Sequence, residues 1–221
     1  MVTGQTREEV AGLKDEYLAL GNAIKVSTEE LANSAVQLYR QGLSAAEVNE
    51  RLGEIAKTAK VAGLSVDEVT KFVTSGINGM KVSAQEFNDV LLKVASIAAT
   101  DYQKLGTALQ QSAVGFTAAG FSLEQATSII ATVSEVTQQS ASSIGSSMKT
   151  ILARFNKLTA EGADNVEVLN DIDKALQSIG MSLQDDAGQF RDTSVVLDEL
   201  GKRWDTLDRN TQNYLGTTIA G

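Results

Sequence analysis

The sequence predicts an all-α chain, on three observations. No proline occurs in 221 residues, where average usage would give about eleven, so nothing of that kind interrupts helical backbone hydrogen bonding. Apolar side chains recur at three- and four-residue intervals along most of the chain, the period of one helix face. Ser27, Ser44, Ser65, Ser83 and Ser122 each stand three residues ahead of Glu or Gln, the sequence form of a capped helix start. The expected architecture is a multi-helix array of short capped helices, with one small β-hairpin near residues 182–191.

Taken in order, Ser27 with Glu30 opens the first internal helix. Gly42-Leu43-Ser44 with Glu47, Gly63-Leu64-Ser65 with Glu68, and Gly120-Phe121-Ser122 with Gln125 repeat one corner. Glycine takes the left-handed position after a helix, the apolar residue seals the bend, and serine caps the next helix. Ser83 with Glu86 is a further capping box, and Asn78-Gly79 reads as a turn. Val48, Leu52, Ile55 and Ala59 form one core face, and Phe87, Val90, Leu91, Val94 and Ala98 another. The same period covers Ile129, Ile130 and Val133, then Ile144, Met148, Ile151, Leu152, Phe155 and Leu158, then Val166, Leu169, Ile172, Leu176 and Ile179. From Gly180 the pattern changes: Asp185 to Gly188 is a glycine turn between short arms, the basis for the hairpin. Helical spacing resumes at Thr193, with Leu197, Leu200, Trp204 and Leu207 on one face. The corners are irregularly spaced, which argues against a strict solenoid repeat.

Charge divides the chain. Residues 1–104 carry 14 acidic and 11 basic side chains and residues 149–221 carry 12 and 8, whereas residues 105–148 carry only Glu124 and Glu135. We therefore expect a charged N-terminal helical region, 1–104, and a second helical module with the hairpin, 105–221. Of the 44 residues in the neutral segment, 25 are Ala, Gly, Ser or Thr, which lets helix backbones approach closely. Gln110, Gln111, Ser112 and Thr117 interrupt its apolar character, so packed core or interface helices are expected rather than a membrane span. Charges placed at Ala113 and Ala119 would test a contact surface there.

The same composition narrows function. Without Cys or His there is no thiolate nucleophile, no zinc-sulfur site and no imidazole base. A net charge of -9 without a basic run argues against a specific nucleic-acid surface. The amino terminus has no apolar signal region, so synthesis in the cytoplasm is expected. Ser146 and Lys149 match a Ser-x-x-Lys acyl-enzyme pattern, but its companion motifs are missing. Asp171 with Asp173, and Asp185 with Asp186, do not continue into a calcium loop. No enzyme, cofactor or metal is expected.

From about Ala95 onward a set of elements follows in a fixed order: the Gly120-Phe121-Ser122-Leu123-Glu124 corner, Ile144-Gly145, the run Met148 to Phe155, and the Gly162 break. It continues through Ala175 to Met181, Gly188 to Asp192, Leu197 to Leu200, Trp204 to Leu207, and Thr218 to Gly221. In these elements the chain resembles phage tail tape-measure proteins of the phage-related minor tail family. About 125 residues are covered, with residues 1–94 as an upstream helical extension. The resemblance implies a mostly helical protein in the lumen of the virion tail that sets tail length and leaves at genome ejection. It implies tail tube and tail-tip proteins and tail assembly chaperones as partners, a homo-oligomer, contact with a host membrane at ejection, and a parent chain that continues past Gly221. As one helix the chain would span about 330 Å, which the capping corners forbid, so a compact module of the tape measure is expected. Gly120, Gly145 and Gly188 are expected to set backbone geometry, and Ile151, Phe155 and Trp204 to anchor packing. The alternative is a soluble helical toxin or pore-former, with residues 105–148 as its inserting hairpin.

Overall fold

The computed structural model describes residues 7–160 and 166–220, with side chains from 12 to 155 and from 171 to 220. Eleven helices follow one another among the described residues: α1 (Arg7–Ile24), α2 (Thr28–Tyr39), α3 (Ala45–Ala62), α4 (Val66–Met80), α5 (Ala84–Ile97), α6 (Tyr102–Ala118), α7 (Leu123–Thr137), α8 (Ala141–Ala160), α9 (Val166–Gln177), α10 (Thr193–Trp204) and α11 (Arg209–Ala220). The expected break at Gly162, and the side chains of Leu158, Val166 and Leu169, lie outside the described residues.

Local chemistry sets the corners. Ser44 Oγ accepts from the Glu47 amide while the Glu47 carboxylate accepts from the Ser44 amide at 2.8 Å. Ser65 with Glu68 and Ser122 with Gln125 close in the same reciprocal way. Ser27 and Ser83 supply only the serine half, accepting from the Glu30 and Glu86 amides. Gly42, Gly63 and Gly120 lie at φ of +83°, +69° and +81°, a region that costs an L-residue about 1–2 kcal/mol. Lys25, Lys81 and Gln138 take the same left-handed conformation without being glycine. The chain therefore bends at places the glycine signature does not mark. Asn78-Gly79, which reads as a turn, is helical, and the corner falls at Lys81. Gly79 serves packing instead: a Cβ there would lie 2.5 Å from the Ala113 Cβ.

From α1 to α8 each helix packs on its neighbour in sequence and on the helix two places along. The result is two layers, α1-α3-α5-α7 and α2-α4-α6-α8, stacked in solenoid order without a repeated sequence. Stacking requires an apolar stripe on each helix, not equal lengths, and these helices run from 12 to 20 residues. Buried side chains form two clusters. The first runs from Tyr17 to Leu152, and the second gathers Phe155, Ile172, Ala175, Leu176, Met181, Leu183, Val196, Leu200, Leu215 and Ile219. Phe87, Phe116 and Phe155 are among the largest fully buried side chains, each contributing about 2–3 kcal/mol against about 1 kcal/mol for a cap. Packing therefore holds the array, and the caps fix where its corners fall.

The hairpin expected near residues 182–191 is not formed. A single antiparallel bridge joins Gln184 to Phe190 and no strand occurs among the described residues. The turn itself is present, with Gly188 at φ +76° and Asp185 Oδ1 accepting from the Ala187 and Gln189 amides at 2.9 Å. The arms are too short to extend a ladder, because Met181 and Leu183 are drawn into the second cluster and α10 begins at Thr193.

Stability should show a broad pH plateau. Hydrogen bonds from Ser44, Lys71 and Ser65 hold Glu47, Asp67 and Glu68 below the usual carboxylate range. Those contributions are complete above the unfolded value of about 4 and are lost as acid is added through the lower folded values. Burial pushes the Tyr17 and Tyr102 phenols up, so ionisation of the unfolded chain above about pH 10 favours unfolding. No histidine titrates between these limits. Melting temperature measured against pH should stay level from about pH 6 to 9 and fall on both sides.

Candidate functional site

The neutral segment forms most of α6, all of α7 and the first part of α8, and α6 packs against α4, α5, α7 and α8. Its most extensive contacts are with α8 and with α4. Closeness comes from missing side chains. A Cβ on Gly145 would lie 2.6 Å from the Ala108 carbonyl oxygen and one on Gly106 would lie 2.7 Å from the Phe72 ring. Thr117 donates to the Gly79 carbonyl at 2.7 Å, and Tyr102 to Asn88 Oδ1 at the same distance. Buried Ser112 and Thr127 return their hydroxyls to the carbonyls four residues back. Ala113 and Ala119 are each 3% exposed, so charges there would probe folding rather than a contact surface. The exposed side of α6 carries Gln103, Gln110, Val114 and Ala118. Among the described residues no helix is long and apolar enough to cross a membrane.

The six residues singled out from sequence fall in three places. Gly145 lies in the α6–α8 contact. Gly120 forms the α6–α7 corner and abuts the start of α10, where the Ser194 amide donates to the Ala119 carbonyl at 3.1 Å. Phe155 is buried in the second cluster, with Ile151 and Trp204 half-buried against it. Gly188 stands apart in an exposed turn, where a Cβ would meet nothing within 4 Å, so only its backbone angle requires glycine. Ile151 also lines an apolar groove of about 480 Å³ between α6, α7, α8 and α10, with Phe116, Phe121, Ile129, Met148 and Leu197.

No reactive constellation is assembled by these contacts. Ser146 donates its hydroxyl to Gln111 Oε1 at 2.5 Å, not to Lys149. Asp173 accepts from the Leu183 amide and from Gln177, and Asp185 closes its own turn. No group of acidic residues suited to a metal ion occurs among the described residues.

The match to a known family model runs from residue 14 to residue 221 and is to the phage-related minor tail protein. The chain belongs to that family. Membership extends the likeness upstream of Ala95 through α5 to α2 and the latter part of α1, and gives the chain a structural role in a phage tail. Among solved structures, none matches this minor tail protein.

One organising side chain of the minor tail protein, Glu199, was read from sequence only as part of the run Leu197 to Leu200 and given no role of its own. Glu199 accepts from Arg191 at 2.7 Å and from Arg203 at 2.6 Å. The two guanidiniums in turn donate to the Ser182 and Ile179 carbonyls, both at 3.1 Å. The pair of bonds ties the loop between α9 and α10 to α10 itself. Spacing of four residues on a helix marks Glu199 and Arg203 in the sequence, but Arg191 lies in the loop and carries no such mark. Glu199→Gln is expected to loosen this loop. Amide exchange should quicken at Asp185, Gly188 and Arg191 and stay unchanged in α3 to α6.

Proposed function

We propose that this chain is a compact module of a phage tail tape-measure protein, part of the protein that sets tail length and leaves at genome ejection. Family membership across residues 14–221 carries the reading. The corners add to it: among the described residues the longest helix has 20 residues, about 30 Å, so the folded segment is too short to serve as a ruler by itself. On this reading the measuring length belongs to uninterrupted helix elsewhere in the parent protein. Tail tube and tail-tip proteins are its partners in the virion and tail assembly chaperones its partners before assembly.

The test is the mass of the native product, detected with an antibody to this segment in sedimented tails. A band far above 23.4 kDa in that fraction is expected. A species of that mass confined to the soluble fraction would overturn the proposal. The toxin reading gains nothing from the fold, because among the described residues no helix is long and apolar enough to cross a membrane.

A further inference from the structure

Acidic side chains are missing from two adjacent helices of this acidic protein. The net charge is -9, and α3, α5 and α7 carry Glu47, Glu50 and Glu54, Glu86 and Asp89, and Glu124 and Glu135. Neither α6 nor α8 contains a single Asp or Glu. Along the seam between these two helices runs an open groove of about 540 Å³, lined by Gln111, Ser146, Lys149, Thr150, Ala153 and Arg154.

The lining is ordered. Gln111 donates to Ser142 Oγ at 2.7 Å and accepts from Ser146 Oγ at 2.5 Å, so the amide and both hydroxyls hold one arrangement. Arg154 reaches the Thr218 and Ile219 carbonyls at 3.4 Å, near the end of α11, and keeps further N–H donors for another acceptor. Lys149 is exposed and forms no ion pair among the described residues. Beside the groove, three residues along α6 from Gln111, Val114 is 71% exposed, with Ala118 one turn further on. Fixed amide and hydroxyl groups, two cations, no carboxylate and a small apolar foothold define the occupant. It carries carboxylates beside a stripe of small apolar side chains, and a straight seam between two helices takes a third helix lengthwise.

We propose that the α6–α8 groove docks an acidic amphipathic helix, with its carboxylates toward Lys149 and Arg154 and its small apolar stripe on Val114 and Ala118. Charge complementarity selects this occupant. A nucleic acid would need many more cations than two, and a membrane would need an apolar helix or an aromatic face, which this surface does not have. The inference rests on surface chemistry alone and is independent of the tape-measure reading.

The test uses the full chain and a dye-labelled synthetic helix with an Ala and Val stripe flanked by Glu, against the same peptide with Lys in place of Glu. Anisotropy should show the acidic peptide binding and the basic one not, with binding weakened by salt as surface electrostatics require. Lys149→Glu should weaken binding about tenfold, and Val114→Asp should weaken it as well. Both positions are exposed, and unchanged melting curves would establish that the variants fold. Lys93→Glu, on the exposed side of α5, should leave binding as it is. Equal binding of both peptides, no binding of the acidic peptide, or an equal loss with Lys93→Glu would overturn the proposal.

Discussion

Gly145→Ala should destabilise the chain by about 2–4 kcal/mol, more than a single methyl group would suggest. The added carbon would sit 2.6 Å from the Ala108 carbonyl oxygen and 3.0 Å from the Ala108 Cα. Both are backbone atoms, so no rotamer change relieves the clash, and α6 must move away from α8. Overpacking a core usually costs about 1–3 kcal/mol, and a rigid backbone neighbour places this site at the upper end or beyond. Moving α6 also disturbs its other close contact, where Gly79 meets Ala113. Gly53→Ala is the matched control. Gly53 is inside α3 with nothing within 4 Å of the added carbon, so the same change should stabilise by about 0.5–1 kcal/mol through helix propensity. Urea unfolding of the two variants decides the matter. Equal effects would mean that α6 and α8 are not packed as closely as described.

The contrast between these glycines shows what the sequence could and could not reveal. Local signals were legible: Ser44, Ser65 and Ser122 with their partners mark true capping boxes, and Gly63 and Gly120 mark true left-handed corners. The core faces were legible too, since Leu52, Phe87, Ile130 and Phe155 repeat with the helical period and are all buried. Long-range facts were not. Gly53 and Gly145 both stand in helical stretches, and only the packed array shows that Gly145 has a backbone against it while Gly53 has open space. Asn78-Gly79 misleads for the same reason, since a contact made 34 residues away selects the glycine. The hairpin fails because a glycine turn fixes only its own few residues. Whether the arms extend depended on Met181 and Leu183, which the second cluster takes. The two-layer order of α1 to α8 was equally hidden, because stacking leaves no repeat in the letters. At the candidate site, the missing acids of α6 and α8 were visible as the neutral segment. That they share one groove follows only from the contact between the two helices.

Phe155→Ala should uncouple the two halves of the molecule. Phe155 is 1% exposed and sits at the head of the second cluster, so its truncation should cost about 3–5 kcal/mol through lost transfer energy and the cavity left behind. The loss falls unevenly. The first cluster ends at Leu152, one turn earlier on the same helix, and does not include Phe155. Among the described residues the ties between the clusters besides α8 include Leu197, which packs against both, and the Ser194 amide, which donates to the Ala119 carbonyl. The protein carries a built-in reporter for this, because its one tryptophan, Trp204, packs against the second cluster. In the unaltered chain, Trp204 fluorescence and far-ultraviolet circular dichroism should follow nearly the same denaturant curve if α8 transmits cooperativity. In Phe155→Ala the fluorescence transition should move to lower denaturant, while most of the helical signal, which comes from α1 to α7, persists to higher concentration. Local unfolding of this kind marks a separate cooperative unit. Two curves that shift together by the same amount would instead make the chain one unit from α1 to α11, with the break between clusters a matter of geometry and not of energy.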